Sequence, residues 1–380
     1  MKKKIPFFKT NFDSNEINAF KKIVKKGNFS MGEFTAKLEK KIARKLKISE
    51  NCVALVSNCT VALHLAMIVS KIKKNDEVLC SSLTFVADAS CVKYVDAIPR
   101  FVDITSVDNW NISIEDILRN ITKKTKAIIM THYAGYPCDI PKIKKIAKKN
   151  NLVLIEDACH TIFSKFRDKY MGTYGDLGVF SLYGNKNITT GEGGIVVGKK
   201  KLIDKIKILR NHAIDRSVLE RNLLKTHTYQ INELGYNYRI DDIRSSLGIE
   251  QLKKIDKLND LRKKVAINYK KLLNKSIPSI IIPFKKFIGE NYSYHLFPIL
   301  LPYNLDRNEL IKFLNDRGIQ TSIHYKPIHK LKFYEKKNFK LINLDKISNH
   351  ILSLPIYPKL SLIDQKCIIK DIKYFINKNN

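Results

Sequence analysis

Three kinds of side chain in this sequence could do chemistry together: one lysine, one aspartate and a scatter of hydroxyls at strand ends. Lys186 lies in Phe180-Ser181-Leu182-Tyr183-Gly184-Asn185-Lys186-Asn187-Ile188-Thr189-Thr190-Gly191-Glu192-Gly193-Gly194, between an apolar run and a glycine-rich turn. Upstream, Asp157 closes a second apolar run, Leu152-Val153-Leu154-Ile155-Glu156-Asp157. A lysine amine can condense with an aldehyde cofactor. A carboxylate can hold that cofactor's pyridine nitrogen protonated, so that the ring takes up electrons. The pair suggests pyridoxal phosphate (PLP) chemistry.

The elements that must position these groups are legible as a pattern. Apolar runs at Val53–Val56, Glu77–Cys80, Arg100–Asp103, Ala127–Thr131, Val153–Asp157, Leu177–Ser181 and Gly194–Val197 alternate with helix-patterned stretches such as Thr60–Ile72 and Ile140–Lys149. Strands alternating with helices predict a mainly parallel sheet covered on both faces. In such sheets ligands bind beyond the carboxyl ends of the strands, where Ser57, Asp157 and Ser181 fall. A long helical pattern over Asp241–Leu273 leads out of this region. Strand candidates Ser279–Pro283 and Tyr294–Leu300, a helix near Asp306–Arg317 and a terminal helix near Asp364–Ile376 follow. The expectation is an α/β large domain over residues 1–250 and a smaller α+β domain over 251–380, with the boundary inside the long helix.

Order and spacing of these segments resemble the DegT/StrS-type nucleotide-sugar aminotransferases, a branch of the fold type I PLP enzymes. The likeness runs from Gly27-Asn28-Phe29 to Leu354-Pro355-Ile356-Tyr357-Pro358. It implies PLP as cofactor, cycling through pyridoxamine 5′-phosphate, on a seven-stranded sheet between helices. It also implies Lys186 and Asp157 as catalytic residues.

Ser57-Asn58-Cys59-Thr60 follows a strand and opens a helix, so its N–H groups form a phosphate site or simply carry an N-cap. The resemblance puts the cofactor phosphate at Cys59 and Thr60, with Ser181 as a second phosphate hydroxyl. Relatives often carry Gly where this chain has Cys59. It also matches Phe85 to the aromatic that stacks on the ring and His160 to a position facing it. Taken alone, Phe85 reads as core and His160 as structural. Asn237, in Gly235-Tyr236-Asn237-Tyr238-Arg239, matches a residue that reaches the neighbouring subunit's cofactor, which implies a homodimer with shared active sites. Ser30, Met31 and Gly32, together with His324, Tyr325 and His329, match stretches that line the substrate entrance. The implied reaction moves an amino group from an amino acid, L-glutamate, to a nucleotide-linked keto-deoxysugar. That sugar is a 4-keto-6-deoxyhexose or its acetamido form, on a pathway to surface glycans such as lipopolysaccharide O-antigen. The nucleotide stays open among GDP, UDP and TDP. Two rivals are a PLP-dependent sugar dehydratase, whose relatives carry histidine in place of Lys186, and a non-catalytic regulator that keeps PLP or a sugar nucleotide as a signal.

Composition sets outer bounds. The 380 residues are 44% hydrophobic and 28% charged, as in soluble globular proteins. No run approaches membrane-spanning length and Ile5-Pro6-Phe7-Phe8-Lys9 is too short for a signal peptide, so the expected location is the cytoplasm. Seven cysteines without metal-ligand spacing point to reduced thiols and to no metal site. The formal charge of +33 comes mainly from lysines spread along the chain in pairs. Nucleic-acid binders concentrate charge on a patch interleaved with arginine or aromatics, so no specific nucleic acid is expected. Such a surface could gather anionic sugar nucleotides.

Overall fold

In the computed structural model, residues 4–214, 228–335 and 340–379 are described. The seven apolar runs form one sheet: β1 (Val53–Val56), β2 (Glu77–Ser81), β3 (Ile98–Val102), β4 (Thr125–Thr131), β5 (Val153–Asp157), β6 (Leu177–Ser181) and β7 (Gly194–Gly198). Their spatial order is β1-β7-β6-β5-β4-β2-β3. β7 runs antiparallel to both neighbours and every other pair is parallel. Successive strand residues point to opposite faces. Ala54 and Val56 therefore enter one core with Val78, Ile129 and Val179, whereas Val53 and Leu55 enter a second with Phe180 and Ile195. Both faces are covered, which is why the runs read as continuously apolar.

Helices α1 (Ser14–Lys26), α2 (Glu33–Leu46), α3 (Cys59–Val69) and α4 (Ala87–Lys93) precede or cover the sheet. Local sequence sets their starts. Asp13 and Glu16 make reciprocal capping bonds at α1, and Asn58 caps α3 by accepting from the Val61 N–H at 3.0 Å. The long pattern is one helix, α5 (Asp242–Ser276), of 35 residues and about 50 Å at ~1.5 Å per residue. Asp241 caps it. α1 and α2 pack on α5, as does α7 (Leu362–Asn379), and the boundary placed at residue 250 lies within α5.

Beyond α5, strands β8 (Phe297–Leu300) and β9 (Ile351–Leu354) pair antiparallel, with α6 (Arg307–Asp316) between them in the chain. The strand expected at Ser279–Pro283 does not form. Only Ile281 pairs, exchanging both backbone hydrogen bonds with Leu300. Pro278 and Pro283 bracket it, and a proline has no N–H to extend a ladder. All seven cysteines are free, and Cys367 is exposed. Among the described residues no helix is long and apolar enough to cross a membrane.

Candidate active site

A cavity of about 1000 Å³ opens at the carboxyl ends of β1, β5 and β6. Each strand delivers one polar group to it. Asp157 ends β5 and is buried, its Oδ1 accepting from the Cys159 N–H at 2.9 Å. Ser181 ends β6, and its Oγ accepts from the Tyr183 N–H at 3.2 Å. β1 leads through Ser57 into Asn58, so the first turn of α3, with Cys59 and Thr60, faces the same space. The first N–H groups of a helix lack partners within it and attract anions. Gly194 lets this turn sit close to β7, since a Cβ there would lie 2.4 Å from the Asn58 carbonyl oxygen.

Lys186 reaches the cavity from the loop after β6, where its N–H closes a turn on the Tyr183 carbonyl at 2.9 Å. Its Nζ lies 3.4 Å from Nε2 of His295, a residue absent from the sequence-level candidates. Asn187 decides which imidazole nitrogen faces the lysine. Both Nδ2 protons of Asn187 are committed, to Asn259 Oδ1 at 2.7 Å and to the Ser293 carbonyl at 2.6 Å. Its Oδ1 therefore accepts from Nδ1 of His295 at 3.2 Å, and the Nε2 lone pair points at Lys186. Burial holds His295 well below the ordinary imidazole range, and the Lys186 charge adds to this. A neutral imidazole acceptor thus sits beside the amine.

The other expected residues fall into two groups. Phe85 is half exposed on the cavity wall, its ring 6.0 Å from that of Tyr325. His324 and Tyr325 line the same wall; burial lowers His324 to about 3. His160 lies behind this lining, buried, with Nε2 3.2 Å from the Tyr325 hydroxyl and its ring 4.5 Å from that of His295. Asn237, Ser30, Met31, Gly32 and His329 do not line the cavity of this single chain. Asn237 is exposed and bridges to Asn211. The Ser30–Gly32 loop is tied down through Gly32, whose N–H donates to Asp242 Oδ1 at 2.9 Å. His329 is buried between Ser82 Oγ at 2.7 Å and Asp345 Oδ1 at 3.3 Å, which occupy both ring nitrogens. Tyr238, next to Asn237, does line the cavity, and its hydroxyl meets His64 Nδ1 at 3.1 Å.

An amine, a carboxylate, a helix start and the Ser181 hydroxyl share one space. They complement an aldehyde, a pyridine nitrogen and a phosphate, so the residues fit PLP. Over residues 10–373 the chain matches the DegT/DnrJ/EryC1/StrS aminotransferase family. The chain belongs to that family. GDP-perosamine synthase of Escherichia coli O157:H7 is 35% identical over 87% of each chain. The enzyme of the same name from Vibrio cholerae is 32% identical over 98% of this chain and 99% of its own. Among solved structures, a Streptococcus pneumoniae protein described as a sugar aminotransferase superposes in its PLP form with a TM-score of 0.90. It is 25% identical over 100% of both chains. Helicobacter pylori PseC, an aminotransferase of pseudoaminic acid biosynthesis, gives 0.90 at 25% identity over 99% of this chain and 100% of that one. This family member is a PLP-dependent aminotransferase, and the α/β fold with its seven-stranded sheet is as expected.

Proposed function

We propose that the protein transfers an amino group from L-glutamate to a nucleotide-linked 4-keto-6-deoxyhexose, in the biosynthesis of an aminosugar for a surface glycan. The observation that carries this reading is the convergence of Lys186 and Asp157 on one cavity of about 1000 Å³. That lies at the upper end of ordinary small-molecule sites, roughly 300–1000 Å³, and suits a cofactor together with a sugar. The GDP-perosamine synthases and the UDP-linked altrosamine transaminase of Campylobacter jejuni, 33% identical over 98% of this chain, support the substrate class. A lysine at position 186 speaks against a dehydratase, since the resemblance gives those relatives a histidine there.

When bound, PLP supplies an aldehyde that condenses with amines and a ring that accepts electrons. Cys59 and Thr60 at the start of α3, with Ser181, would hold its phosphate, and Asp157 its ring nitrogen. Lys186 Nζ is the amine placed to take a proton and return it, which one flexible side chain can do in both half-reactions. His295 Nε2 orients that amine as a hydrogen-bond acceptor. Phe85, His324 and Tyr325 form one wall of the cavity.

Assembly belongs to the same proposal. Phe85, Tyr94 and Tyr183 leave about half of their surface open at the cavity, at 54%, 56% and 51% exposure, and Asn237 is exposed. A second copy of the chain would cover them and bring its Asn237 to the cofactor phosphate. The function is tested by incubating purified protein with PLP, glutamate and a panel of GDP-, UDP- and TDP-linked keto-sugars, read by mass spectrometry. A product with a new amine is expected, and K186A should yield none. Product from K186A, or no aminated sugar from any substrate, would refute the reading.

A further inference from the structure

Behind Asp157 lies a second carboxyl that the proposed chemistry does not use. Asp88, in the first turn of α4, is fully buried. Its Oδ2 accepts two hydroxyl bonds, from Thr84 Oγ1 at 3.1 Å and from Thr131 Oγ1. Its Oδ1 is buried and receives no donor. Thr131, which bonds Asp88, is the register partner of Asp157 on the adjacent strands β4 and β5, and this sets the Asp88 carboxyl beside that of Asp157.

This arrangement cannot hold two bare carboxylates. An ionised Asp88 would bury a charge with one oxygen unsatisfied and another acid beside it. The titratable groups facing it are Asp157 on β5, Cys80 on β2, Cys91 on α4, Cys59 on α3 and Tyr325, each an acid. A proton on Oδ1 completes the hydrogen bonding: Oδ2 keeps both threonine donors and Oδ1–H gains an acceptor. We propose that Asp88 is a neutral carboxylic acid whose Oδ1–H donates to Asp157, making it the positioning residue for the group that meets the cofactor's ring nitrogen. Burial, then the neighbouring Asp157, pushes the Asp88 carboxyl well above the ordinary range, in agreement with this assignment.

The placement also links two sides of the site. Asp88 donates its N–H to the Phe85 carbonyl at 3.3 Å, so one short segment carries both the aromatic wall and the acid behind Asp157. Asp157 would then be gripped from two directions, by the Cys159 N–H and by Asp88.

The inference rests on the reading of Asp157 as partner of the ring nitrogen, and its test separates the two. In cofactor-free protein at neutral pH, infrared spectroscopy is expected to show the carbonyl stretch of a protonated carboxyl group, shifted in D2O and absent from D88N. The amide of D88N still donates to Asp157 and still accepts from both threonines, so turnover of its holoenzyme should stay within about threefold of wild type. D88A has no donor. Its kcat should fall about tenfold to a hundredfold, the range for a lost hydrogen bond to a charged group, with KM for glutamate little changed. A wild-type spectrum without that band, a band unaltered in D88N, or D88N as impaired as D88A would overturn the proposal. Full turnover by D157N would instead overturn the ring-nitrogen reading, while the cofactor-free spectrum judges the carboxyl pair by itself.

Discussion

Replacing Asn187 with aspartate should convert His295 from a neutral acceptor into a cation beside Lys186, and so tests the tautomer that the hydrogen bonds impose. In the native site Nδ1 of His295 donates to a neutral amide oxygen at 3.2 Å, and burial keeps the ring uncharged. A carboxylate at that distance attracts an imidazolium by about 5 kcal/mol at an effective dielectric constant of ~20. That is worth nearly four pH units in favour of the imidazolium. His295 of N187D would therefore titrate far above its native range, and once protonated its Nε2 can no longer accept from Lys186 Nζ. The kcat–pH profile of N187D should gain an acid limb, falling ~10-fold per unit, at a pH where the wild type is still flat. The double variant N187D/H295F has no imidazole to protonate and should lose this limb. Because N187D also removes the donors to Asn259 and Ser293, urea denaturation must first show it folded. A folded N187D whose profile parallels wild type, or a limb that survives in the double variant, would refute the assignment.

Further outcomes follow from other parts of the structure. G178A should destabilise the fold by at least about 3 kcal/mol, measured as a shift in urea midpoint, because its Cβ would sit 1.9 Å from the Gly172 carbonyl oxygen in the strand that delivers Ser181. D242A should cost about 2–3 kcal/mol and speed amide exchange at residues 32–35, since Asp242 accepts from the N–H groups of Gly32, Phe34 and Thr35 and from the Thr35 hydroxyl. Acid should unfold the cofactor-free protein early. His160, His295 and His324 are held below the value near 6.5 that they regain on unfolding, so the stability they contribute above pH 6.5 is lost as pH falls. Asp88, raised in the folded state, keeps its proton and opposes this loss, while each histidine that stays neutral costs about 1.4 kcal/mol per pH unit below 6.5; a stability that falls with pH in urea titrations from pH 6.5 downward is the expected result.

What the sequence discloses and what it hides divide along a physical line. The sheet is legible because both faces of each strand are buried, so Val53–Val56 and Leu177–Ser181 stand out as unbroken apolar runs between turns. The Asp157 and Lys186 positions are legible because Asp157 closes such a run and Lys186 lies in the loop after another, and a strand end fixes where its next residues point. The helices α1 and α2 escape notice: their lysine-rich faces resemble the surface elsewhere, and only packing against α5 distinguishes them. His295 is hidden for a different reason. It lies 109 residues from Lys186, and nothing local marks it, because its meaning comes from the route of the chain between α5 and β8. His329 shows the converse. It shares a promising stretch with His324, yet a turn at Pro327 sends its ring to Ser82 and Asp345 instead of the cavity. Asp88 combines both effects, since a single acid in an apolar helix start reads as an exposed residue. Only the adjacency of β4 and β5 puts Thr131 and Asp157 against it and turns a surface-like residue into a buried acid. Local pattern therefore locates the groups that strand ends display, whereas the residues that tune them are set by contacts between distant segments, where no spacing rule applies.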